Sequence, residues 1–353
     1  GKTADRSRAL AEMAPREPLS TSATPSRLYS EALKRASDYR LQALSDETRT
    51  TYTKDYDEFA RWCRAMALEA ATATEIDLAV FAASLCDTIS VATIKRKVSA
   101  IRTVRSYFGR PIEETGELKR VLAGIKRQHG KPAVGKAALE PDQLAATLDA
   151  LPNSRAGRRD RALILAGAYG ALRRSDLVAL DVIDLRFDAE GCTVTIPRSK
   201  TDPDGKGETI ALRRKEDRRY CPVASLEIWL RTAGIKAGPV FRGMTKHDTV
   251  RASRLSKSAV GEILKGRVRA GLEALGMDAE EVSALVDQIG SHSLRVTLIT
   301  HASRGNITTR DLQAHTRHVK IETLERYVRR ASAMNWTPTR GVDLTPRVAE
   351  KGG

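Results

Sequence analysis

From Ser45 to about Gln128 the apolar residues recur at spacings of three and four, and the period shifts to two only far downstream, at Cys192–Ile196 and Glu208–Leu212. The first spacing lays a stripe along a helix; the second belongs to a strand with one buried face. A chain patterned this way folds as mainly α, with one small antiparallel sheet inside an α-rich second half. Ser45 opens a helix whose stripe is Thr48, Tyr52, Tyr56, Phe59 and Cys63. A second helix runs from Thr74 to Asp87 with Ile76, Val80, Phe81 and Leu85 inward. Ser90 caps a third that carries Val91, Ile94, Val98, Ile101 and Phe108 on one face, and Gly109 and Pro111 end it. A fourth spans Gly116 to Gln128.

The stretch 129–139 holds Gly130, Pro132 and Gly135 with little apolar content, which reads as a linker. With 353 residues, the chain is long enough for a core on each side of it. The expected organisation is a flexible arm at 1–25, a helical domain at 26–128, the linker, a second domain at 140–333 and a tail at 334–353. In the second domain the pattern predicts helices at 140–151, 158–170, 172–180, 222–232, 256–275, 278–289, 291–304, 308–315 and 321–333. The connection 197–207 between the two strands is polar.

Charge points to a partner. The 60 Lys and Arg exceed the 44 Asp and Glu, a formal charge of +16, which favours a polyanion such as nucleic acid. The excess is concentrated: Lys95 to Lys131 contains eleven Lys or Arg and three acids, Glu113, Glu114 and Glu117. Lys95, Arg96, Lys97, Arg102, Arg105, Lys119, Arg120, Lys126, Arg127 and Lys131 are therefore expected to contact a phosphate backbone.

Other classes lack their signals. The longest clean apolar run, Ala162–Leu172, is far short of the ~20 residues that span a bilayer. No basic-then-apolar leader opens the chain, so a cytoplasmic protein is expected. Cys63, Cys86, Cys192 and Cys221 are scattered without a CxxC pair, which suits small core residues in a reducing compartment. Motifs for nucleotide phosphates, dinucleotides, zinc hydrolysis and serine hydrolysis are absent, so no cofactor and no metal is expected.

What remains is a set of cations, histidines and one tyrosine. Arg173 and Asp176 lie three apart at a helix start after Gly170. Alone they read as a local ion pair. Lys200 sits in the turn after a strand, where a lysine is usually a solubilising charge. His292 and Arg295 share one face of a helix N-terminus, a ready anion site. His318 precedes a helix in which Leu324, Tyr327, Val328 and Ala331 form a stripe, and periodicity alone makes Tyr327 a core aromatic.

Taken together, Leu172-Arg-Arg-Ser-Asp176, Ser199-Lys200, His292-Ser-Leu-Arg295 and His318 with Tyr327 nine residues later resemble the tyrosine recombinase, or phage integrase, family. The resemblance runs from about 26 to 333. It implies a helical core-binding domain followed by a catalytic domain with a small antiparallel sheet. It also implies a site-specific recombinase that cleaves and rejoins duplex DNA through a 3′-phosphotyrosine, without ATP or metal. Tyr327 would be the nucleophile, Arg173, Arg295 and His318 would hold the non-bridging phosphate oxygens, and Lys200 would protonate the leaving 5′-oxygen. His292 would hydrogen-bond the phosphate and assist as a base. The acid at this position is commonly Glu in the family and is Asp176 here, read as a residue that orients Arg173 or His292. The expected partners are double-stranded DNA with inverted-repeat sites and three further copies of the chain in a tetramer that passes through a Holliday junction. A nucleoid-associated protein of prokaryotic, phage or plasmid origin is implied, with the tail docking on a neighbouring subunit. A type IB topoisomerase-like or telomere-resolving enzyme shares the catalytic set, and a non-catalytic DNA-binding relative would have lost Tyr327 or the arginines.

Overall fold

The computed structural model describes residues 27–131, 135–196, 207–305 and 307–317, together with Leu324. The chain divides into two compact units, one up to residue 133 and one from 134 onward.

The first unit is all helical: α1 (Arg27–Gln42), α2 (Asp46–Ala65), α3 (Glu75–Ser84), α4 (Val91–Tyr107) and α5 (Glu117–His129). Each start has a local cause. Ser45 accepts from the Thr48 N–H and Ser90 from the Thr93 N–H, filling donors that a helix start leaves open. Thr74 and Asp77 form a reciprocal capping box. α2 packs on α4 and α3 on α5 around Phe59, Phe81, Leu78, Ile94 and Ile101. Phe59 and Phe81 meet edge to face at 5.1 Å, the arrangement that ring quadrupoles favour.

One expected stripe is rotated. Ile76 and Val80 are 60% and 53% exposed, and α3 buries Leu78, Phe81 and Ala82 instead. The capping box fixes where α3 begins, and those three residues at i, i+3 and i+4 define its inner face.

The second unit is built around α7 (Arg155–Tyr169), which is buried almost continuously from Ala162 to Ala168. It packs on α9 (Pro222–Ala233) and α12 (Ser293–Arg304), while α6 (Pro141–Asp149) packs on α10 (Lys257–Ala274). Short α8 (Arg174–Ala179), α11 (Ala279–Gln288) and α13 (Thr309–Thr316) complete its described α-helices, and a 3-10 turn follows α8 at Val182–Asp184. Within α7, Asp160 accepts from Arg159 Nε at 2.8 Å and from Arg267 Nε at 2.8 Å, so this carboxylate enters the core with both oxygens bonded.

Strands β1 (Leu185–Phe187), β2 (Gly191–Ile196) and β3 (Glu208–Arg213) form an antiparallel sheet in that order, with Val194 opposite Ile210 and Cys192 opposite Leu212. A second ribbon pairs β4 (Arg242–Met244) with β5 (Val250–Arg254). Neither of its strands has a buried residue, so period two never marked it in the sequence. Segment 135–140 is held on this unit: the Leu139 N–H donates to Thr297 Oγ1 at 2.9 Å, and its carbonyl lies 2.9 Å from His301 Nε2.

α7 and α12 approach closely because Gly167 lacks a side chain. A Cβ there would lie 2.6 Å from Leu294 Cδ1 and 3.1 Å from Leu177 Cδ1. Gly167→Ala is accordingly expected to lose about 1–3 kcal/mol of stability by overpacking, read from the midpoint of denaturant unfolding. The four cysteines are free, and burial pushes the Cys192 thiol up to about 12, where it is inert. Among the described residues no helix is long and apolar enough to cross a membrane.

Candidate active site

The site forms where three chain segments meet: the α7–α8 turn, the start of α12 and the end of α13. Arg173 is the residue before α8, and its own N–H donates to Asp176 Oδ2 at 3.2 Å. Asp176 thus closes the helix start rather than only pairing with the arginine side chain along a face. Arg173 Nη2 donates to the Arg317 carbonyl at 3.3 Å, and Arg173 Nη1 stands 3.9 Å from Asp176 Oδ2. That Nη1 is buried and has no hydrogen-bond partner among the described residues.

Arg295, on the first turn of α12, is 1% exposed. Its Nη1 donates to the Ala171 carbonyl at 2.7 Å, and its Nη2 donates to the Thr316 carbonyl. These backbone carbonyls hold the guanidinium in place. His292 directly precedes α12.

Two backbone kinks make these contacts. Ala171 has φ 45° and Arg317 has φ 56°, a region that residues with a side chain rarely adopt. One kink turns the carbonyl of Ala171 to Arg295; the other turns that of Arg317 to Arg173. Backbone strain of this kind persists where the surroundings fix it and concentrates at functional sites.

Arg317 is the residue that sequence reasoning passed over. It lies between His315 and His318 and is 6% exposed. Its Nη2 donates to Asp176 Oδ2 at 2.9 Å, and its Nη1 is 3.7 Å from Glu208 Oε2. The available signal was an arginine directly beside a singled-out histidine. His315 itself is fixed elsewhere, with Nε2 2.8 Å from the Tyr169 carbonyl.

Arg173 and Arg317 therefore flank the buried Asp176 carboxylate, and Arg295 is held beside them through the Ala171 and Thr316 carbonyls, a concentration of positive charge suited to an anion. Burial pulls the Arg173 guanidinium below its usual range, and Asp176 opposes the shift. The His292 imidazole is also held below its ordinary 6.5, first by desolvation against the protein and then by Arg295 and Arg173. A folded value below the unfolded one means that the neutral ring contributes its full stability above the unfolded pKa; that contribution is lost as pH falls through the window below 6.5. NMR titration of His292 should show a midpoint below 6.5, and Arg173→Ala should raise it by removing a like charge. Lys200, His318 and Tyr327 lie outside the described residues.

In the first unit the expected phosphate contacts separate into three groups. Lys95, Lys119, Lys126, Arg127 and Lys131 are exposed. Arg96, Arg102 and Arg120 are paired with Asp55, Glu114 and Glu117. Lys97 and Arg105 depart from the expectation because both are buried, at 8% and 5% exposure. Lys97 Nζ bonds Asp55 at 3.2 Å and Glu58 at 2.6 Å, tying α4 to α2. Arg105 donates to the carbonyls of Arg110, Ala70 and Ala73, which closes the loops around α4.

The profile of the phage integrase family matches residues 137–334. The chain is 31% identical over 290 residues to the integrase/recombinase xerD homolog of Selenomonas ruminantium, covering 80% of this chain and 82% of that one. It is 26% identical over 294 residues to tyrosine recombinase XerC of Pelobacter propionicus, covering 80% and 85%. Its fold is similar to that of the XerH site-specific recombinase in a post-cleavage complex with a palindromic difH substrate, with a TM-score of 0.58 and 17% identity over 80% of this chain and 76% of that one. The chain belongs to the phage integrase family, and it is an enzyme of the tyrosine recombinase class.

Proposed function

We propose that this protein is a site-specific recombinase that cleaves and rejoins duplex DNA through a 3′-phosphotyrosine at Tyr327. The observation that carries the reading is the pair of arginines, Arg173 and Arg295, each held by backbone carbonyls where the α7–α8 turn, the start of α12 and the end of α13 meet. A phosphodiester under attack becomes a five-coordinate dianion. Fixed guanidinium groups stabilise that charge as it develops, and their planar fork matches two oxygens at once. His318 adds a third contact to the non-bridging oxygens, and His292, kept neutral before DNA arrives, accepts or shares a hydrogen bond with the phosphate. Lys200 protonates the leaving 5′-oxygen. The phosphotyrosine retains the ester energy, so rejoining needs no ATP, and with the protein's own cations on the phosphate the reaction as proposed calls on no metal.

Family membership supports four protomers that exchange strands in pairs through a Holliday junction, at inverted repeats flanking a spacer. The motif contexts resemble those of Cre recombinase, while both curated relatives named above carry Xer names. A plasmid with two copies of the target site tests the reading. Recombination predicts exchange between the sites; relaxation or hairpin ends without exchange would instead favour a topoisomerase-like or telomere-resolving enzyme.

Lys95, Lys119, Lys126, Arg127 and Lys131 are the exposed cations we assign to the DNA backbone. Lys95→Ala, Lys119→Ala and Lys126→Ala should each lower the slope of log affinity against log salt by about 0.9, because each lost contact retains its counterion. Lys97→Ala should leave that slope unchanged and lower the unfolding midpoint, since it strips a partner from buried Asp55.

A further inference from the structure

Arg317 occupies its position at a cost from two directions. Its backbone sits at φ 56°, where glycine is the unstrained choice after a helix end. Its side chain is buried, yet Nε and Nη1 have no hydrogen-bond partner among the described residues. Buried donors left open in this way are uncommon and call for a compensating role. Among the described residues its side chain hydrogen-bonds Asp176 Oδ2, at 2.9 Å.

That oxygen is the one Arg173 would otherwise take. Arg173 Nη1 stands 3.9 Å from it, about an ångström beyond hydrogen-bonding distance, and has no other partner among the described residues. We propose that Arg317 is a positioning residue: by occupying Asp176 it prevents Arg173 from collapsing onto the carboxylate, and so leaves a guanidinium nitrogen of Arg173 for the scissile phosphate. The inference rests on the reading of Arg173 as a phosphate ligand. An arginine paired bidentately with a carboxylate has both its charge and its fork committed. With Arg317 in place, Asp176 still caps the Arg173 N–H, and the guanidinium that its carboxylate bonds is that of Arg317. A second carboxylate, Glu208, lies 3.7 Å from Arg317 Nη1.

The proposal separates from a merely structural role by second-site rescue. Arg317→Gly suits the backbone conformation and releases Asp176 to Arg173. Single-turnover cleavage of a nicked target duplex should fall by at least tenfold, with the dissociation constant for the same DNA changing less than threefold. Arg317→Lys, which keeps a cation beside Asp176, should recover part of the rate. Combining Arg317→Gly with Asp176→Asn removes the charge that captures Arg173 while keeping an oxygen to cap its N–H, and should cleave faster than Arg317→Gly alone. A structural role predicts the reverse, since the second substitution would add to the damage. Thermal unfolding of each variant identifies any that fail to fold, and Arg317→Lys then carries the comparison. Wild-type cleavage by Arg317→Gly, or a double variant no faster than the single one, overturns the proposal. If wild-type protein forms no adduct at all, or Arg173→Ala cleaves normally, the reading beneath it has failed instead.

Discussion

Tyr327→Phe folds, binds target DNA within about twofold of wild type and forms no covalent complex: that is the expected result, and it is all or none. Phenylalanine keeps the ring and has no oxygen to attack phosphorus. Were Tyr327 only a core aromatic, the change would cost at most about 1–2 kcal/mol for a lost hydrogen bond and leave chemistry intact. The other tyrosines make the contrast. Tyr220 donates its hydroxyl to Asp149 Oδ2 at 3.1 Å, so Tyr220→Phe should lower stability slightly and leave cleavage unaffected. Burial raises the phenols of Tyr56 and Tyr169 above their ordinary 10, which makes both harder to ionise and poor nucleophiles. Binding assays beside gel detection of the protein–DNA adduct measure both halves of the prediction.

Lys200→Ala has the second largest expected effect, and it depends on the substrate. On an ordinary phosphodiester the variant should lose about 10²–10⁴-fold in cleavage rate, the range that general acid catalysis supplies. On a duplex with sulfur at the 5′-bridging position, the thiolate leaves without a proton, and most of the loss should vanish. Equal losses on both substrates would move the proton donor to another residue. Single-turnover rates on the two duplexes decide it.

Much of this protein is legible from periodicity, because its helices are long, capped and one-sided. Ser45, Ser90 and the Glu140-Pro141 start are each visible as residue types, and each begins a helix. The stripe Ile94, Val98 and Ile101 is buried as its spacing requires. Failures arise where a short or polar element carries no period. The β4–β5 ribbon has no buried face, and β1 is three residues long. Charge is the weakest sequence signal. Lys97 and Arg105 look like neighbours of Lys95 on a basic helix, but the helix turn that separates them points both inward, toward Asp55 and a cluster of loop carbonyls.

The site was legible to an uneven degree. Arg173, Asp176, His292 and Arg295 stood out through their motif contexts, and the structure ties Arg173, Asp176 and Arg295 to the α7–α8 turn and the end of α13, with His292 just before the helix that carries Arg295. Arg317 did not stand out, because its importance lies in a contact across 141 residues of sequence. No local spacing encodes such a pair. Nor could the sequence indicate that Ala171 and Arg317 adopt positive φ, since neither is a glycine.

The central claim is that one phenol of this chain becomes esterified to a DNA 3′-phosphate. It is tested most directly by trapping wild-type protein on a nicked duplex whose short cleaved fragment, bearing the freed 5′-hydroxyl, diffuses away, digesting the adduct with protease and nuclease, and locating the added nucleotide by mass spectrometry. The account predicts a 3′-phosphonucleotide on the peptide containing Tyr327 and on no other. An adduct on any other residue, or linkage through a 5′-phosphate, would contradict it.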